Sequence, residues 1–173
     1  MHDNGKPFLV VGVSDSVASK AALRWAEGEA RRRGARLLVV RAWQPVQIAH
    51  YAPHAQHEDF AHERRAITAE LASTLFATFG ARLPAFLFTE VFEGPPERVL
   101  ADESAGADML ILGSTSVPTI IGRSIGPVIR SCLSRAHCPV VVIGPEDEAA
   151  VRHHQRAGRA ADSGVLIAAG SGG

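Results

Sequence analysis

The stretch GSTSVPTIIGRSIGPV, Gly113 to Val128, follows the apolar run DMLILG and holds three glycines, five hydroxyl side chains and two prolines. That composition suits an anion: glycine lets backbone N–H groups approach a phosphate, hydroxyls add donors, and a helix opening at the end of the loop points its positive pole at the charge. A second loop, Ser14-Asp15-Ser16 after FLVVGV, joins two hydroxyls to a carboxylate. Ser114 and Ser116 could stand near Asp15, yet no histidine is placed to activate either hydroxyl, and Ser and Asp clustered at strand ends also serve as turn and cap residues. An enzyme is therefore the minor reading. The histidines raise a metal reading, since His50, His54, His57 and His62 stand close to Glu58, Asp59 and Glu63. HEDFAH is one residue longer than the zinc-protease helix motif, however, and a five-residue step turns ~500° round a helix, so His57 and His62 fall on different faces. With Pro53 placing the first two in a loop, solvated polar residues are expected here and no metal site. Cys132 and Cys138 form a Cys-x5-Cys pair, which matches neither thioredoxin nor zinc spacing. Buried thiols in a reducing compartment are expected.

The elements that must position these loops are legible as periods. Phe8–Ser14, Ala35–Trp43, Asp108–Gly113 and Pro139–Gly144 are near-continuous apolar runs, which predicts strands covered on both faces. Phe86–Gly94 alternates more, as a strand nearer an edge does. Ala18, Ala21, Ala22, Trp25, Ala26 and Ala30 keep the spacing of one buried helical stripe, with Ser16 to cap its start and Gly34 to stop it. Arg31, Arg32 and Arg33 fall at the negative end of that helix and read as a solvated terminus. A second helix is predicted over about Glu58–Phe79, with Phe60, Ile67, Leu71, Leu75 and Phe79 inward. A third runs from Pro96 to Ala105, and a fourth follows Gly126 with Val128, Ile129, Cys132, Leu133 and Ala136 as its stripe. Strand and helix alternate throughout, which predicts an α/β fold: an open, mostly parallel sheet with helices on both faces.

The 173 residues suit one domain. Lys plus Arg and Asp plus Glu number 18 each, so the chain lacks the basic footprint of a nucleic-acid or anionic-membrane binder, and neither partner is expected. No apolar run approaches the ~18 residues of a membrane span, and MHDNGKPF lacks the layout of a signal peptide, so a cytoplasmic protein is expected. From Glu146 onward the apolar period is lost, apart from VLIAAG. Residues 1–145 are read as the α/β domain and 146–173 as a disordered tail.

GVSDSVASKAALRWA, VVRAW, EGPPERVLADESAGADMLILGS, the glycine-bearing loop and RAHCPVVVIG, in that order, resemble a bacterial universal stress protein domain over roughly residues 8 to 144. The resemblance implies a five-stranded parallel sheet ordered 3-2-1-4-5, a homodimer and, in one branch, bound ATP. That branch carries a glycine, two residues, a glycine, nine residues, then glycine and a serine or threonine. Gly113 and Gly126 keep the frame, but Ser116 replaces the middle glycine and Pro127 follows the last, with neither N–H nor hydroxyl to offer. The family's first loop reads Asp-Gly-Ser where this chain has Ser14, Asp15 and Ser16, so the carboxylate stands one residue along. Adenine is met by backbone at the end of the second strand, here at Ala42. The implied nucleotide contacts are thus Ser14, Asp15, Ala42, Gly113, Ser116, Gly126 and Val128, should ATP bind; Arg123 and Ser124 are replacement anion contacts or exposed loop residues. The leading reading is a stress-response binding and interaction protein with a degenerate nucleotide-binding loop and no cofactor. The alternative is an ATP-binding member with weak ATPase activity. The homodimer is expected on a second ground, since PVVVIG is apolar yet falls at the sheet edge, where an uncovered strand invites pairing. Contacts with other proteins complete the expected partners.

Overall fold

The structure, a computed structural model, describes residues 6–45, 56–115, 118–119, 122–123, 125–144 and 166–168, the side chains of 56–59, 118–119, 122–123 and 166–168 excepted. In chain order these form β1 (Phe8–Gly12), α1 (Val17–Arg33), β2 (Arg36–Trp43), α2 (Gln56–Phe79), β3 (Leu87–Glu93), α3 (Pro96–Glu103), β4 (Met109–Gly113), β5 (Pro118–Thr119), β6 (Gly122–Arg123), α4 (Pro127–Arg135), β7 (Val140–Ile143) and β8 (Leu166–Ala168).

The apolar runs lie side by side as β3-β2-β1-β4-β7, every pair parallel. This is the 3-2-1-4-5 order, with β7 as its fifth strand because β5 and β6 pair only with each other, in a small antiparallel hairpin inside the glycine-bearing loop. That hairpin is an addition to the expected plan. A sixth strand, β8, lies antiparallel along the outer edge of β7.

Successive strand residues face opposite ways, so each central strand feeds two cores. Leu9, Val11, Leu37, Val39, Ile111, Val141 and Ile143 pack with the alanine stripe of α1 and with Leu71 and Leu75 of α2. On the other face Val10, Leu38, Val40, Leu110, Leu112 and Val140 pack with Val99 and Leu100 of α3 and Ile129 and Cys132 of α4. Two covered faces are why these strands read as unbroken apolar runs rather than as an alternation.

The ends of α1 follow its sequence signals. Ser16 Oγ accepts the Ser19 N–H at 3.1 Å, and Gly34 takes the left-handed conformation at φ 62. Arg31 pairs with Glu27 and lies over the Phe86 ring, while Arg32 and Arg33 pair with Glu29. In α2, which begins at Gln56, Leu71 and Leu75 are buried but Phe60 and Ile67 are only half-buried. This helix packs against β2, β3 and α1 at the β3 side of the sheet. Helix α3 ends at Glu103, two residues before the expected stop, and Gly106 turns the chain at φ 83. The fully buried Ser104 ties that end down: its hydroxyl donates to the Ala101 carbonyl at 2.6 Å and accepts the His137 N–H at 2.8 Å. Of the segment expected as a tail, only β8 falls among the described residues.

Candidate functional site

From β1 the chain moves outward through β2 to β3, then returns to place β4 on the other side of β1. The loops leaving β1 and β4 therefore diverge, and the space between them is where a sheet of this kind admits a ligand. A cleft of about 460 Å³ lies there. Its walls come from the first loop (Gly12, Ser14, Asp15), the end of β2 (Val40, Arg41, Ala42), the end of β4 (Gly113, Ser114, Thr115) and the start of α4 (Gly126, Pro127, Val128). Six of the seven residues named from the sequence thus share one cleft, and Ser116 lies outside the described residues.

The first loop is occupied with itself. The Ser14 N–H donates to Ser19 Oγ at 2.8 Å while the Ser19 N–H donates to Ser16 Oγ, and the hydroxyls of Ser14 and Ser16 lie 3.1 Å apart. The Ser19 amide in the first turn of α1 thus meets both the hydroxyl and the carbonyl of Ser16, while the Ser14 amide of the preceding loop is satisfied by the Ser19 hydroxyl. Asp15 turns towards β2, where its carboxylate meets Arg41 Nη2 at 2.9 Å. Arg41 is largely covered, its side chain 13% exposed against 72% for Asp15, and it also reaches the Val13 carbonyl at 3.5 Å and Glu70 of α2 at 3.6 Å. Arg41 was not among the residues singled out from sequence. Its signal was a charge inside the otherwise apolar VVRAW, at the ligand end of a central strand.

The two glycines of the second loop have different causes. A Cβ at Gly113 would stand 2.3 Å from the Ala18 carbonyl oxygen and 2.6 Å from the Ser19 nitrogen, both backbone atoms of the first turn of α1. Gly113 is therefore glycine because a helix crosses it. Gly126 has φ −60 and ψ 156, open to any residue, and among the described residues a Cβ there meets nothing within 4 Å. Neither the backbone conformation nor, among the described residues, the packing asks for glycine at 126, which lines the cleft. Among the described residues no side chain caps α4, and Pro127 takes its first position. The N–H groups of Val128 and Ile129 stand too early in the helix for an intrahelical acceptor.

The electrostatics are sparse. Among the described lining residues Arg41 is the one cation, and Asp15 balances it, so the attraction left for an anion is the ~0.5 charge at the start of α4. Arg123 lies on β6, its side chain not described, and Ser124 lies outside the described residues. Burial pushes the Cys132 and Cys138 thiols up to about 11 each, far from a reactive thiolate. Among the described residues no group of three His, Cys, Asp or Glu side chains is placed to hold a metal ion. His50 and His54 lie outside the described residues, as does the side chain of His57. No described helix is long and apolar enough to cross a membrane.

Fold and cleft together define a doubly wound α/β domain with a cleft at the strand switch. Residues 9–144 match the universal stress protein family, and the chain belongs to it. It is 30% identical over 159 residues to universal stress protein Rv2623 of Mycobacterium tuberculosis, covering 89% of this chain and 52% of that protein. Against universal stress protein Rv2624c of the same organism it is 28% identical, covering 83% of this chain and 51% of the other. The chain spans about half the length of these curated relatives. Among solved structures, universal stress protein UspA from Lactobacillus plantarum superposes with a TM-score of 0.54 at 24% identity, covering 81% of this chain and 99% of that one. A universal stress protein in complex with cAMP superposes at 0.56 with 22% identity, covering 82% and 99%.

Proposed function

We propose that this chain is a stress-response binding protein that holds an adenine nucleotide carrying few phosphates and does not turn it over. The supporting observation is Gly126, a glycine that neither the backbone nor, among the described residues, the packing requires, at the start of a helix that walls the cleft and that no described side chain caps. The base has backbone to meet at Ala42, and the phosphate has the amides of Val128 and Ile129. A triphosphate asks for more: with Arg41 committed to Asp15 and Pro127 in place of a hydroxyl residue, its further charges find no matching cation among the described lining residues. The similar structure that holds cAMP, a ligand with one phosphate, agrees with this choice.

Calorimetric titration with cAMP, AMP and ATP tests the reading. Expected are dissociation constants of roughly 1–100 μM for the two monophosphates, with ATP no tighter by more than about threefold. Pro127→Ser, which restores an N–H and a hydroxyl, should strengthen ATP by about tenfold, since a hydrogen bond to a charged group is worth ~1.5 kcal/mol or more. Sub-micromolar ATP on the unaltered chain would refute the preference, and no heat with any of the three would refute nucleotide binding. The second reading, an ATP-binding member with slow hydrolysis, uses the same two amides. Phosphate released above an enzyme-free blank would favour it.

A further inference from the structure

Between α2 and the outer strand β3 lies a groove of about 520 Å³, separate from the cleft at the strand switch. Leu71 and Leu75 are buried where they line it, and Val91 of β3 is half-buried. Phe76 is 64% exposed and Leu83 47% exposed along its border, two of the four large apolar side chains that the described residues leave in water. The parallel pairing of β2 and β3 obliges α2 to run back along them. The helix therefore follows the groove from Arg64, at the carboxyl end of β3, to Phe76 and the turn at Gly80, at its amino end. Arg64 and Phe76 are twelve positions apart, a rise of ~18 Å.

We propose that this groove binds a free fatty acid, its carboxylate on Arg64 and its acyl chain laid over Leu71 and Leu75 towards Phe76 and Leu83. Charge and length carry the argument. Arg64 is the one cation among the lining residues, it is exposed, and it makes no ion pair among the described residues. A guanidinium meets a carboxylate with two parallel N–H groups, which fixes the head of the ligand. The acid that lines the groove, Glu90, precedes Val91, and Val91 packs into the core beneath α1 and α2. Alternation along the strand turns the Glu90 side chain to the other face of the sheet and leaves its backbone at the groove. Thr68 spends its hydroxyl on the Arg64 carbonyl at 2.8 Å. Beyond Thr68 the lining residues from Leu71 to Leu83 are all apolar, so the groove is charged at one end and greasy along the rest. One charge at the head of a ~18 Å apolar run matches an unbranched chain of on the order of a dozen carbons. The volume falls within the ~300–1,000 Å³ of small-molecule sites, and a chain over Phe76 and Leu83 takes their apolar surface out of water.

Calorimetric titration of the full chain with decanoate tests this, and the nucleotide titration above does not depend on its outcome. Decanoate should bind with a dissociation constant of roughly 1–100 μM. Hexanoate, four methylenes shorter, should bind at least about tenfold more weakly, because less apolar surface is covered. Decanol, which keeps the chain and lacks the charge, should also bind at least about tenfold more weakly, and Arg64→Gln should bring decanoate down to the level of decanol. Ala72→Trp, at an exposed position in the middle of the groove, should abolish binding by filling it. The proposal is overturned if decanoate gives no heat at ~1 mM, if decanol binds as tightly, or if Arg64→Gln or a folded Ala72→Trp binds decanoate as the unaltered chain does. A mass that rises with concentration in light scattering and falls in Ala72→Trp would give the groove to a second copy and overturn it equally. Should Ala72→Trp lose its circular dichroism, the exposed Arg64→Gln and the decanol comparison decide alone.

Discussion

Gly113 and Gly126 look equivalent in a phosphate-loop frame, and the structure separates them. A methyl at 113 lands 2.3 to 2.6 Å from backbone atoms of Ala18 and Ser19, which no rotamer change relieves. Either α1 lifts from β4 or the strand end bends, and overpacking of that kind costs ~1–3 kcal/mol, with backbone contact at the upper end. Gly113→Ala should therefore destabilise by about 3 kcal/mol, lowering the melting temperature by roughly 6–12 °C in a chain of this length. At 126 two small terms oppose each other. Alanine is a poorer N-cap than glycine, yet it restricts the unfolded chain by ~0.4–1 kcal/mol, so Gly126→Ala should leave stability within about 1 kcal/mol. Its methyl enters the open side of the cleft and should weaken nucleotide binding by about tenfold. Urea unfolding and calorimetric titration of both variants give the four numbers. If Gly113→Ala melts within ~2 °C of the unaltered chain, the packing account of that glycine is wrong. If Gly126→Ala binds nucleotide as before, the open glycine is not part of the site.

Two further outcomes rest on charge. The Asp15–Arg41 pair should show a coupling of ~0.2–1 kcal/mol in a double-mutant cycle of Asp15→Asn and Arg41→Gln, falling towards zero in molar salt because Asp15 is exposed; an unchanged coupling in salt would contradict an ion pair of this kind. For Glu29, burial raises the carboxyl pKa, but hydrogen bonds from Arg33 and Arg32 and their charges outweigh it and hold the group below its ordinary value. A depressed carboxyl contributes stability above its unfolded pKa, roughly 4.3, and loses it as pH falls through the lower folded value. Glu29→Gln should thus cost stability at neutral pH and flatten the acid limb of the stability profile, whereas a parallel downward shift at every pH would refute the linkage.

The sequence by itself determined the architecture, because burial is written locally. Apolar runs covered on both faces, the alanine stripe of α1, Ser16 at its start and Gly34 at its end are each set by neighbours within a few residues, and periodicity reports them faithfully. The resemblance to a known family added the strand order, which periodicity cannot give, and with it the place of the cleft. What tertiary structure decided concerns groups far apart in the chain. Gly113 is explained by a helix that begins at Val17, and Asp15 by an arginine on the next strand. The edge of β7 was legible as apolar and in need of cover, but that Leu166–Ala168 cover it, antiparallel and centred on Val141, follows from no local pattern. A side chain's period shows that it will be buried; which atoms it meets depends on where the sheet order brings distant segments together, and that is fixed only when the whole chain packs.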